Sequence, residues 1–218
     1  SRDYSQEDAR HDDPIVIVGY SCNFPGARDA DQFWQNLKAG KESISRVPAE
    51  RWDWQALDGD PKTDAGKTNV HWGGFCDGML EFDPAFFNIS PREAVLMDPQ
   101  QRLLMTYVWK AIEDAGHDPT SFSGKKLGIF AGTAASDYRQ LISDAGGDEG
   151  YVATGSVASV GPNRMSYFLD LHGPSEPVET ACSSSLVALH RAVQSIKNGE
   201  CDAAVAGGVN TMVTPDAH

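Results

Sequence analysis

Apolar residues along the chain fall into short β-branched runs, stripes of helical period, and stretches with neither. Ile15-Val16-Ile17-Val18 before Gly19 does not alternate, which predicts a strand buried on both faces. Leu127 to Ala131, closed by Gly132-Thr133, predicts a second such strand, and Ala203 to Ala206 another. Pro177-Val178-Glu179-Thr180 reads as a strand end. Asp29 is placed to cap a short helix carrying Phe33, Trp34 and Leu37, with Gly40 ending it. Ser90-Pro91-Arg92-Glu93 sets a capping serine, a proline at the first helical position and a glutamate at the third. Asp98-Pro99 repeats the start signal. Leu103, Leu104, Tyr107, Val108, Ala111, Ile112 and Ala115 then form a stripe that Gly116 stops. Ser183 to Asn198 predicts the last helix. From Ser43 to Gly78 prolines, glycines and tryptophans follow no period, which predicts an irregular surface excursion. A Gly/Ser-rich stretch from Gly146 to Gly161 leads into Asn163 to Phe168. Strands alternating with helices predict an α/β layer fold with a parallel-rich sheet.

Composition narrows the function classes. The 218 residues are 40% hydrophobic and 22% charged, an ordinary globular mixture. A net charge of −13 gives no general attraction to phosphate backbones and argues against nucleic-acid binding. No apolar run approaches the roughly 20 residues that span a bilayer. Residues 1–12 read as a polar tail or linker rather than a secretory signal, with the ordered domain running from 13 to 218. Cys22, Cys76, Cys182 and Cys201 show neither zinc-ligand spacing nor a disulfide framework. The expectation is a cytoplasmic chain with reduced thiols, no metal and no bound cofactor.

Several motifs carry nothing. Gly66-Lys67-Thr68 resembles the end of a phosphate loop, but Pro61 stands where its first glycine belongs. Asn88-Ile89-Ser90 has the form of a glycosylation acceptor, yet Ser90 serves better as a helix cap. His172 and His190 read as solvated or locally hydrogen-bonded rather than as ligands or bases.

Chemistry concentrates between Val178 and Leu186. A strand ends there, three serines follow Cys182, and a helix begins. Small residues let the chain turn sharply and let a substrate approach the backbone. Cys182, Leu186, Leu189, Val193 and Ile196 share a helical stripe, which places the cysteine on a buried face at a helix N-terminus. Such sites bring a thiol pKa down to roughly 3.5–7.5. Two readings of Cys182 stand from these residues alone: an activated nucleophile, or a small buried hydrophobe.

Glu179-Thr180-Ala181-Cys182-Ser183-Ser184-Ser185-Leu186 resembles the nucleophile motif of β-ketoacyl synthases, condensing enzymes of the thiolase superfamily. Asp13 to Gly19, Phe24-Pro25-Gly26-Ala27 and Asp98-Pro99-Gln100-Gln101-Arg102-Leu103-Leu104 resemble the family's opening segments. Gly128 to Thr133, Asn163 to Phe168 and Gly173-Pro174-Ser175 follow in family order. The resemblance runs from about Asp13 to His218 and is to modular polyketide synthases rather than to stand-alone fatty-acid enzymes. It implies a thiolase-like layered αβαβα fold, of which this chain covers most of the first half. It also implies a homodimer joined through the strand that leads into Cys182.

The implied activity is acyl transfer from a carrier protein's phosphopantetheine to Cys182, then decarboxylative Claisen condensation with a malonyl-type extender. The backbone N–H of Cys182 is implied to serve the oxyanion hole. Glu179 stands where many relatives have aspartate, as in ketosynthases served by a separate acyltransferase. The family's two histidines and lysine belong to motifs beyond His218, and His218 matches none of them. Residues 1–218 alone are therefore expected to be inactive without the remainder of the domain. A non-elongating, transacylating ketosynthase and a non-catalytic dimer partner or scaffold are the alternatives, the latter disfavoured by the intact cysteine motif.

Overall fold

The computed structural model describes residues 14–134, 136–146 and 149–215. Residues 1–12, read above as a tail, lie outside them, as does His218. In chain order the elements are α1 (Ala30–Ala39), β1 (Ser45–Arg46), α2 (Trp54–Leu57), β2 (Trp72–Gly73), α3 (Pro91–Leu96) and α4 (Pro99–Asp114). A 3-10 turn (Pro119–Phe122) precedes β3 (Leu127–Gly132), α5 (Tyr138–Asp144), α6 (Glu149–Ser156) and α7 (Val160–Phe168). The chain continues through β4 (Ser175–Val178), α8 (Ser184–Lys197) and β5 (Ala203–Gly208).

The apolar run at 127–131 becomes the central strand. All six residues of β3 are buried, with β4 parallel on one side and β5 parallel on the other. Because side chains alternate across a strand, β3 feeds two cores. Leu127, Ile129 and Ala131 join Leu104, Met105, Val108 and Ile112 of α4 and Met165 of α7. Phe130 faces the other way and packs with Val178, Ala188 and Ala192 beneath α8. Helices thus cover both faces of a parallel sheet, as the alternation of elements predicts.

The helix starts follow their capping residues. Asp29 accepts from the Gln32 N–H at 2.7 Å, Ser90 from Glu93 N–H at 3.2 Å, and Asp98 from Gln100 N–H at 2.8 Å. Gly40 closes α1 in the left-handed region, at φ 60°. The Glu93 carboxylate pairs with Arg164 at 2.7 Å, which ties α3 to α7. The stretch from 146 to 161, marked in sequence only by glycine and serine, contains α6.

Two expectations need correction. Ile15 to Gly19 form no strand, and Val16, Ile17 and Val18 are 67%, 78% and 69% exposed. Both sides of β3 are already occupied, and the residues after this run lie along α4 instead. There Tyr20 N–H donates to Asp114 and the Ser21 hydroxyl to Tyr107 O. The second correction concerns α8. Its buried face is Ser184, Ala188, Ala192 and Ser195, while Leu186 and Leu189 are exposed. The leucine stripe is real but faces away from the sheet, and Cys182 is exposed rather than buried.

The reason is the closeness of α8 to the strand ends. A Cβ added at Gly132 would fall 2.8 Å from Ser185 N and 3.1 Å from Ser184 Cβ. One added at Gly208 would fall 2.8 Å from Ser185 Cβ. Leucines do not fit such a gap. We expect Gly132→Val to destabilise the complete domain by about 3 kcal/mol through overpacking. Gly207→Ala, where a Cβ meets nothing within 4 Å, should be nearly neutral in the same denaturant titration.

Candidate active site

Three parallel strands end at one edge, and the segments leaving them build the candidate site. β4 runs out at Val178 and the chain reverses into α8 through Glu179 to Ser183. Ala181 takes φ 55°, a left-handed conformation uncommon for a residue with a Cβ. The turn is held by serine hydroxyls. Ser184 Oγ accepts from Thr180 N–H at 2.9 Å and donates to Ala181 O at 2.7 Å. Ser183 Oγ donates to Thr180 O at 2.8 Å. The three serines after Cys182 thus divide the work. Ser183 and Ser184 knit the turn, and Ser185 sits under Gly132 and Gly208.

Cys182 stands on this turn, two residues before the first residue of a 14-residue helix. The residue is exposed and sits at the positive, N-terminal end of the α8 dipole. The other cysteines differ. Cys201 is 1% exposed and its Sγ meets Ser195 Oγ at 3.4 Å. Burial pushes the thiols of Cys22, Cys76 and Cys201 above their ordinary range. The exposed thiol is the one on the turn.

The same edge carries further polar groups. Thr133, just after β3, and Thr211, after β5, each hold a buried hydroxyl with no hydrogen-bond partner. Thr133 N–H donates to Val178 O at 3.0 Å, and Val209 N–H to Gly132 O at 2.9 Å, so the sheet pairing continues to the site. Gln100, in the first turn of α4, also reaches this edge through a hydrogen bond to Ala134 O at 3.0 Å, a contact not legible in the sequence.

The histidines do not assemble here. His172 is exposed and lies before β4, against Asp170 at 3.3 Å, at the opposite end of the strand. His190 is exposed midway along α8. The Lys67 ammonium donates to Ala56 O at 2.7 Å within the surface excursion, so the phosphate-loop likeness has no structural counterpart. Among the described residues no cluster of histidine, cysteine and carboxylate side chains could hold a metal ion, and no helix is long and apolar enough to cross a membrane.

Residues 12–218 match the family model described as beta-ketoacyl synthase, N-terminal domain. Polyketide synthase PksN of Bacillus subtilis is 56% identical over 214 residues, 98% of this chain and 4% of that protein. Polyketide synthase ThaG of Burkholderia thailandensis is 48% identical over 208 residues, 95% of this chain and 4% of its own length. Among solved structures, an oxazolomycin ketosynthase domain of Streptomyces albus superposes with a TM-score of 0.85 at 42% identity. It covers 93% of this chain, which spans 36% of it. A ketosynthase from module 6 of the bacillaene synthase of Bacillus subtilis gives 0.82 at 38% identity, over 93% of this chain and 33% of the other.

Exposure and burial together predict the order of thiol reactivity. Brief iodoacetamide treatment of the complete domain near pH 7, followed by peptide mapping, should label Cys182 first. Cys22, Cys76 and Cys201 should gain label only as the pH rises, because burial keeps them protonated. Earlier labelling of any of these three would contradict the assignment.

Proposed function

The chain belongs to the β-ketoacyl synthase family, with the thiolase-like fold of polyketide ketosynthases, and on that premise we propose that Cys182 is the nucleophile that carries the acyl chain. The observation that carries this reading is the exposed thiol on a tightly bonded turn, at the N-terminal end of α8 and the C-terminal edge of the sheet.

The chemistry follows from that placement. The Cys182 thiolate attacks the thioester carbonyl of an acyl group borne on a carrier protein's phosphopantetheine. The carbonyl oxygen gains negative charge, and in this reading the Cys182 N–H at the helix start donates to it. Collapse of the adduct expels the phosphopantetheine thiolate, which takes up a proton, and leaves the acyl group on Sγ. A malonyl-type thioester on a carrier then loses carbon dioxide, and its α-carbon attacks the Cys182 thioester. The new C–C bond forms as the C–Sγ bond breaks, giving a β-ketoacyl thioester two carbons longer and free Cys182.

Decarboxylation calls for the family's histidines and lysine, which residues 1–218 do not supply. Condensation therefore requires the remainder of the domain. Exposed apolar side chains support this, since Val16, Ile17, Val18 and Leu186 are each at least 67% exposed. The carrier protein is the substrate-bearing partner, and Glu179 is compatible with supply by a separate acyltransferase. Four unpaired cysteines suit a cytoplasmic enzyme.

Cys182→Ala in the complete ketosynthase should abolish acyl loading from a thioester donor, read by intact mass, with the unfolding midpoint nearly unchanged. Retained acyl-enzyme would move the nucleophile elsewhere.

A homodimer is the second element of the reading. β4 has β3 on one side and no strand on the other among the described residues, which leaves an edge able to pair with its twin across a two-fold axis. Sedimentation of the complete domain at micromolar concentration should give twice the monomer mass, and a fully active monomer would contradict the assignment.

A further inference from the structure

The first turn of α4 is buried although it is polar. Pro99, Gln100, Gln101 and Arg102 are all buried, and Gln100 is 4% exposed. Leaving a buried amide unpaired is costly, so its partners identify its role. Gln100 Nε2 donates to Ala134 O at 3.0 Å, and Gln100 Oε1 accepts from Ala134 N–H at 3.3 Å. One side-chain amide thus takes both backbone groups of one residue, as a neighbouring strand would. The glutamine is itself fixed, because its own N–H donates to the buried Asp98 carboxylate at 2.8 Å. Its neighbours bind other segments: Gln101 Nε2 reaches Thr154 O and Val157 O, and Arg102 reaches Met97 O and the Tyr138 hydroxyl.

Ala134 lies two residues beyond the glycine that touches the Cys182 turn. Gly132 is held against Ser184 and Ser185, and Thr133 N–H is bonded to Val178 O, four residues before Cys182. Positions 132 and 133 are therefore fixed by the sheet and α8, whereas Ala134 owes its hydrogen bonds to a helix on the opposite face. Ala134 is exposed, and it leaves the sheet at the same edge as the Cys182 thiol.

We infer that Gln100 is a positioning residue for acyl loading. Its amide clasp sets the place of Ala134 as a wall that the acyl or pantetheine part of the donor lies against on reaching Cys182. Gln100 does not touch the reacting atoms. The inference rests on the reading of Cys182 as nucleophile given above.

The test uses the complete ketosynthase with an acyl N-acetylcysteamine thioester as donor. Loading is followed by intact mass over a range of donor concentrations, and brief iodoacetamide labelling of Cys182 is measured in parallel. In Gln100→Leu the half-saturating donor concentration should rise about tenfold, the loss expected when one positioning contact goes. The maximal loading rate and the iodoacetamide rate should stay within about twofold of the parent, because a small reagent needs no wall. Gln100→Met keeps the length of the side chain, adds no charge beside the buried Asp98 carboxylate and loses both hydrogen bonds to Ala134. It should give a comparable rise, and it serves as the test if the leucine variant fails to fold. Parental saturation curves in folded variants would overturn the inference. So would an equal fall in iodoacetamide labelling, which would mean that the clasp holds the Cys182 turn itself. Acyl loading on Cys182→Ala is a separate result that overturns the nucleophile reading and leaves the clasp with no reaction to serve.

Discussion

Helix α8 rests on the sheet at a distance that side chains larger than serine do not permit at their closest contact. Gly132 and Gly208 end the two strands beneath it, and Ser184, Ala188, Ala192 and Ser195 line its inner face. This contact decides where the turn at Cys182 falls. With the helix so close, the chain leaving β4 has room for only a short reversal, taken through the left-handed Ala181 and closed by the hydroxyls of Ser183 and Ser184. A larger residue at any of these positions lifts the helix start and the thiol with it. The serines after Cys182 are thus a packing requirement as much as a polar one.

Much of this was legible in sequence, for reasons that differ by element. β3 declared itself because a fully buried strand needs an unbroken apolar run, and Leu127 to Ala131 is one. The starts of α1, α3 and α4 were marked by Asp29, Ser90 and Asp98, since a capping side chain is a local feature. What was not legible was the direction in which a pattern faces. Helix α8 has two faces suited to burial, one of leucines and one of small residues, and periodicity alone favours the more apolar. The sheet selects the smaller. The same limit applies to Ile15 to Val18, whose composition asks for a partner strand that no described residue provides. Gln100 was hidden for a third reason. A glutamine beside a helix start reads as solvated, and only the arrival of Ala134 from a segment 34 positions away gives its amide a partner.

Exposed apolar residues occur along much of the chain, and three groups of them sit together in sequence: the run at 15–18, Phe33, Trp34 and Leu37 of α1, and Leu186 and Leu189 of α8. Helices α1 and α8 are well formed but covered on one side at most, and the run at 15–18 forms no strand and is largely open. That distribution fits a chain spanning about a third of the ketosynthase structures it resembles. The two cores around β3, in contrast, are closed by residues of this chain alone. The candidate site is therefore scaffolded from within on the side of Cys182 and open on the other.

The parallel arrangement of β4, β3 and β5 also sets a timetable for synthesis. Leu127 pairs with Ala203 and Ile129 with Ser175, so the central strand is made well before either neighbour. At ribosomal speeds of about 5–20 residues per second, β3 waits roughly 4–15 seconds for β5. During that interval one of its faces already has α4, translated earlier, to lie against, while the Phe130 face has nothing. Long-range parallel pairing is slow to form and exposed to aggregation while it waits. The nascent chain is thus most vulnerable between the emergence of Phe130 and that of Ala192, and the stretch carrying Cys182 lies inside that window.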